Sequence, residues 1–204
     1  MANWVSHGLI VDPSLESYYL AARVTVDATG DVVHPKEYRT VNLFNHLFSK
    51  FIFRESIYGI DNQNPAIGSA KACDIIINYF TDDFAHQVLC FVEATRASNQ
   101  TGSLIEALEK QARDYCKEFL NANANNDTDT VYACTLIGAS IRCWIARRDV
   151  PGIIGFWSGD QRGSFRYYLD IGLDENRSTL ERAFQKMKSV PVSQERIGTT
   201  HADM

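Results

Sequence analysis

Two strand-like runs constrain this chain most: "KACDIIINYF" (71–80) and "HQVLCFVEA" (86–94), separated only by the turn "TDDFA". Their β-branched and aromatic content, with so short a break between them, predicts two strands paired as a hairpin. Each run also carries a carboxylate. Asp74 stands near the start of the first and Glu93 near the end of the second, so the hairpin brings both to one edge of a sheet.

Helical periodicity frames the hairpin. In "PKEYRTVNLFNHLFSKFIF" (35–53), Val41, Phe44, Leu47, Phe48, Phe51 and Ile52 recur at three- and four-residue spacings, which predicts an amphipathic helix with Pro35 in its first turn. "YGIDNQNPAIGSA" (58–70) reads as a loop. A second helix is expected over "SLIEALEKQARDYCKEFL" (103–120), where Ser103 and Glu106 have the spacing of a capping box and the apolar stripe runs through Leu104, Leu108, Tyr115 and Phe119. "VYACTLIGASIRCWIARR" (131–148) splits at Gly138 into two strands, and "GIIGFWS" and "FRYYLDI" add edge strands. A last helix falls over "STLERAFQKMKS" (178–189), through Leu180, Ala183, Phe184 and Met187. "SYYLAARVTV" (17–26) fits either a strand or a helix end. The order predicts an α/β (α+β) mixed sheet covered by helices, in a single domain over 1–190 with a flexible tail at 191–204.

The totals set limits on function. At 204 residues, 45% hydrophobic and 22% charged, the chain reads as a soluble globular domain. It has neither an apolar run long enough to span a membrane nor a secretory leader, so an intracellular location is expected. Five scattered cysteines without a CxxC pair suggest buried thiols rather than a disulfide framework or a zinc ribbon. There is no GxGxxG, P-loop, GxSxG or HExxH motif. A net charge of −5 does not suit a protein that coats nucleic acid, so nucleic-acid binding would need a local basic surface. Candidates are Arg96, Lys110, Arg113 and Lys117 on one side, and Arg142, Arg147 and Arg148 on another.

Two convergent carboxylates need a compensating cation. Without one, repulsion and desolvation raise a pKa until one group takes up a proton; with Mg²⁺ (or Mn²⁺) between them both stay ionised. Such an ion can polarise a phosphodiester and lower the pKa of an attacking water. The helix that follows adds Gln111 at the border of its apolar stripe and Tyr115 within it, both able to face the sheet edge.

Asp74, Glu93 in "VEATR", and Gln111 with Tyr115 in "QARDY" together resemble the PD-(D/E)xK nuclease superfamily. The likeness is greatest to the branch related to RecB-type exonucleases, whose following helix carries QxxxY, and to a group of predicted fungal proteins reading roughly "D…VEAKR…QALEYC". It covers about residues 35–150. The resemblance implies a restriction-endonuclease-like αβββαβ core, Asp74 and Glu93 as ligands of Mg²⁺ or Mn²⁺, nucleic acid as substrate, and a lysine that orients water and stabilises developing charge.

This sequence departs from the pattern at the lysine. Alternate strand residues share a face, so residue 95 points with Glu93, and it is Thr95, which brings no charge. Arg96 points away and is a poor proton acceptor. Lys71, Lys110 and Lys117 are the candidates for a relocated lysine, Lys71 on the wrong face of a regular strand. In some members of the superfamily the first helix adds a carboxylate to the site; Glu37 and Glu55 flank that helix here, with nothing to distinguish them from solvated charges. Two functions therefore stay open: a metal-dependent nuclease, or an inactive module of the same fold that binds nucleic acid or a protein partner.

Overall fold

The computed structural model describes residues 4–62, 73–81, 85–122, 128–157, 159 and 161–198, with 190–198 as backbone only. Helix α1 (Pro13–Ala22) is capped by Asp12, whose carboxylate accepts the N–H groups of Ser14 and Leu15. That cap, with Pro at the first helical position, resolves the ambiguous segment 17–26 as a helix end followed by a short ribbon of β1 (Thr25–Val26) and β2 (Val32–Val33). Helix α2 (Glu37–Leu47) runs into a π-turn over Phe48–Ile52.

The main sheet contains β3 (Tyr58–Asn62), β4 (Ile75–Phe80), β5 (His86–Thr95), β6 (Thr130–Ile137), β7 (Ser140–Arg147) and β8 (Val150–Gly155), side by side in that order. A two-residue strand, β9 (Leu169–Asp170), pairs with β7. Neighbouring strands are antiparallel except β5 and β6, which lie parallel. Parallel pairing requires a crossover, and helix α3 (Gly102–Asn121) supplies it. The run α2-β3-β4-β5-α3-β6 is the αβββαβ order expected of a restriction-endonuclease-like domain.

Both faces of the sheet are covered. Side chains alternate along β4 and β5, so Ile75, Ile77, Cys90 and Val92 pack with Leu15, Phe44, Phe48 and Phe184 from α1, α2 and helix α4 (Asp174–Gly198). Ile76 and Phe91 point the other way, toward Ala112, Tyr115 and Phe119 of α3. All five cysteines are free and buried. Among the described residues, no helix is long and apolar enough to cross a membrane.

Several local expectations change. Tyr58–Asn62, read as loop, is an edge strand paired with β4; its Gly and Asn match turn chemistry, and its side chains are only partly buried. The Ser103–Glu106 capping box does not form, because the helix starts after Thr101, which makes no side-chain cap. Leu104 is exposed and Ile105 takes its place in the buried stripe. "FRYYLDI" gives one 3₁₀ turn and β9 rather than a full strand. Gly138 does divide β6 from β7: its φ is +59°, and a Cβ there would lie 2.6 Å from the Ala97 methyl, so glycine is required for both turn and packing.

Candidate functional site

Antiparallel pairing of β4 with β5 sets Ile75 opposite Val92. Continuing that register by one residue puts Asp74, just before β4, beside Glu93. The Ala94 N–H donates to Asp74 Oδ2 at 2.8 Å, which fixes the aspartate against the end of β5. The Asp74 N–H and the Cys73 thiol lie beside Glu93 and favour its charged form, although the thiol donates to the Val92 carbonyl at 3.1 Å. Glu93 is 3% exposed, and its Oε1 is buried with no hydrogen-bond partner. A buried carboxylate oxygen in that condition is costly unless something else binds it.

The electrostatics follow from this placement. Burial, then the Asp74 charge and more weakly that of Glu37, push Glu93 up to about 8. Burial also raises Asp74, against the opposing Ala94 N–H. Glu37 at the start of α2 is raised by burial and then by Asp74, with Arg96 working against the shift. Tyr115 is pushed up to about 12 by burial and then by Glu93, with the neighbouring Gln111 working against the shift. Carboxylates from β5, the entry to β4 and α2 thus converge with the Gln111–Tyr115 pair of α3. The hairpin and the helix meet there.

Glu37 is the member the sequence concealed. It and Glu55 flank the same helix with no distinguishing pattern, yet Glu55 accepts from Lys188 Nζ at 2.8 and 3.0 Å, and only Glu37 feels Asp74. Cys73, whose thiol is raised by burial and by Glu93, was likewise not legible as a neighbour of the site.

No lysine takes the missing place among the described residues. Thr95 is 8% exposed and its Oγ1 accepts from Asn99 Nδ2 at 2.7 Å. Arg96 acts on Glu37 rather than on Asp74 or Glu93. Lys110 borders a hollow of about 360 Å³ with Gln111 and Tyr115, but its ammonium is paired with Asp114 at 2.6 Å. Lys117 lines a different groove, and Lys71 lies outside the described residues. Arg142, which sequence placed among surface cations, is fully buried and paired with Glu109.

The donor set fits a small hard cation. Asp74 and Glu93 offer carboxylate oxygens, one of them orphaned. Among the described residues no group of three or more His, Cys, Asp or Glu side chains is disposed to hold a metal. Two carboxylates with the remaining positions left to water and phosphate is the usual Mg²⁺ arrangement, whereas Ca²⁺ and Zn²⁺ favour fuller protein cages.

Neither a family model nor a curated protein matches the sequence. Among solved structures the chain aligns with one described as "Characterization and crystal structure of the type IIG restriction endonuclease BpuSI". Identity is 17% and the TM-score 0.43, over 95% of this chain and 18% of that one. The present chain therefore spans less than a fifth of that protein's length. Its own strand order and pairing carry the fold assignment.

Proposed function

We propose that this domain is a divalent-metal-dependent nuclease that hydrolyses nucleic-acid phosphodiesters, with Asp74 and Glu93 as the metal ligands. The observation that carries the reading is Glu93: a buried carboxylate opposite Asp74, with one oxygen unpartnered and its proton affinity raised. Mg²⁺ or Mn²⁺ held there would polarise a phosphate oxygen and acidify a bound water. The chain's own residues do the rest. Glu93 would release its proton on binding such a cation. Tyr115, which keeps its proton at neutral pH, and Gln111 beside it supply neutral polar groups next to the carboxylates. Glu37, held protonated more readily than an ordinary glutamate, stands near Asp74 as a proton acceptor or donor at the rim.

Thr95 favours a second reading, in which the same fold is a catalytically inactive module that binds nucleic acid or a protein partner. The strand position that should bring positive charge to the site instead hydrogen-bonds Asn99. Incubation of the protein with single- and double-stranded DNA and RNA, in Mg²⁺ or Mn²⁺, separates the two. The nuclease reading expects slow cleavage that Asp74→Ala abolishes. Thr95→Lys should raise the rate by about 10²-fold, the size of effect one added charge-stabilising donor has in other active sites. A wild type that is inert while Thr95→Lys cuts would identify a lapsed nuclease. Inertness of every variant would remove the catalytic claim.

A further inference from the structure

The surface on the far side of α3 is as informative as the site itself. A groove of about 580 Å³ opens between α3 and the β7–β8 turn, and five cations line it: Arg113, Lys117, Arg147, Arg148 and Arg162. Only two carboxylates, Asp114 and Asp149, face them there. On a chain whose net charge is −5, this is a marked local reversal of sign.

Its construction is specific to the fold. Arg113 and Lys117 are one helical turn apart on α3, so they project from the same side of the helix. Arg148 is fixed by the carbonyl oxygens of Leu120 and Thr128, which tie the β7–β8 turn to the end of α3. Gly152 in β8 has a φ of +96°, and Nη2 of Arg162 lies 3.0 Å from where its Cβ would be, so the missing side chain lets the guanidinium lie over the strand. Lys117, Arg147 and Arg162 are exposed.

The groove lies along the sheet from the carboxylates: Arg147 pairs with Thr130 at the start of β6, whereas Glu93 pairs with Thr135, five residues further along the same strand.

We propose that this groove binds the phosphodiester backbone of a nucleic acid, at a distance from Asp74 and Glu93. The choice of nucleic acid over an acidic protein rests on the nuclease reading and on the cation type. With Arg148 engaged by the backbone, three of the remaining four groups, Arg113, Arg147 and Arg162, are guanidinium forks, which match phosphate oxygens two at a time. The contacts are to backbone, so binding is independent of base sequence.

Fluorescence anisotropy of a labelled 20-nucleotide strand and the matching duplex, in EDTA to prevent cleavage, tests the groove directly. Four phosphate contacts give a log–log salt slope of about −2.8 for a single strand and about −3.6 for a duplex. The variant K117E/R147E/R162E should weaken binding about tenfold or more and reduce the single-strand slope by about 2, with a circular dichroism melt to verify its folding. Unchanged binding by the triple variant, no binding by the wild type, or equal competition from polyglutamate would overturn the proposal. If the wild type binds through the groove yet never cuts in Mn²⁺, the nuclease reading fails and the groove stands. Should it cut while the triple variant binds normally, the groove fails and the nuclease reading stands.

Discussion

Glu109→Ala is expected to lower the unfolding free energy by about 3–5 kcal/mol, measured by urea denaturation, because it strands a buried guanidinium. Arg142 of β7 and Glu109 of α3 are both fully buried, and Arg142 Nη1 donates to Glu109 Oε1 at 3.1 Å. The carboxylate also accepts the Gly163 N–H at 2.9 Å and the Tyr168 hydroxyl at 3.3 Å. That hydroxyl meets Thr135 Oγ1 at 2.8 Å, which receives Trp144 Nε1 at 3.0 Å. Arg142 itself has buried Nε and Nη2 without hydrogen-bond partners, and its guanidinium lies 3.9 Å from the centre of the Trp144 ring. Burial depresses the Arg142 pKa and raises that of Glu109, so each ion depends on the other. Truncating one partner leaves the second charge in an apolar setting. The double change Glu109→Leu/Arg142→Met should recover most of the loss, since removing both charges removes the desolvation cost as well.

Stability should also fall as pH rises from about 4.5 to about 8, by roughly 5 kcal/mol when Glu93 is fully ionised. The sign follows from the direction of the shift. Glu93 in the folded protein holds its proton up to about 8, whereas the unfolded chain releases it near 4.5. Between those values the folded state binds more protons, so each step up in pH favours unfolding, and the effect levels off above 8. Asp74, raised by burial, adds to the fall in the same direction. The two carboxylates titrate as a pair, so the midpoint belongs to both. Urea unfolding of wild type and Glu93→Gln across this range checks it. The variant should show the shallower profile and exceed the wild type in stability at pH 8.5. Parallel profiles would mean that Glu93 is not the group responsible.

How much of this was legible in the sequence depended on how local each feature is. The β4–β5 hairpin shows because its apolar runs sit a few residues apart and Asp74 and Glu93 belong to it. Helix α3 shows through its period, even though Leu104 and Ile105 exchange roles. Strand β3 stays hidden because an edge strand with Gly59 and Asn62 looks like a turn until β4 pairs with it. Arg142 alternates with Trp144 along β7 and so faces inward, but nothing local announces Glu109, 33 residues earlier on another element. Glu37 illustrates the same limit at the site. Its role depends on where the α2 terminus lands relative to Asp74, and that is set by tertiary packing rather than by any neighbouring residue.

The claim on which the functional account depends is that Asp74 and Glu93 share one divalent cation. Isothermal titration calorimetry with Mn²⁺ at pH 7.5, repeated in two buffers of different ionisation enthalpy, measures both the binding and any proton it displaces. The account predicts a single site in the wild type, release of a proton as Glu93 ionises, and loss of the site in both Asp74→Asn and Glu93→Gln. No Mn²⁺ binding by the wild type, or binding that survives either substitution unchanged, would contradict it.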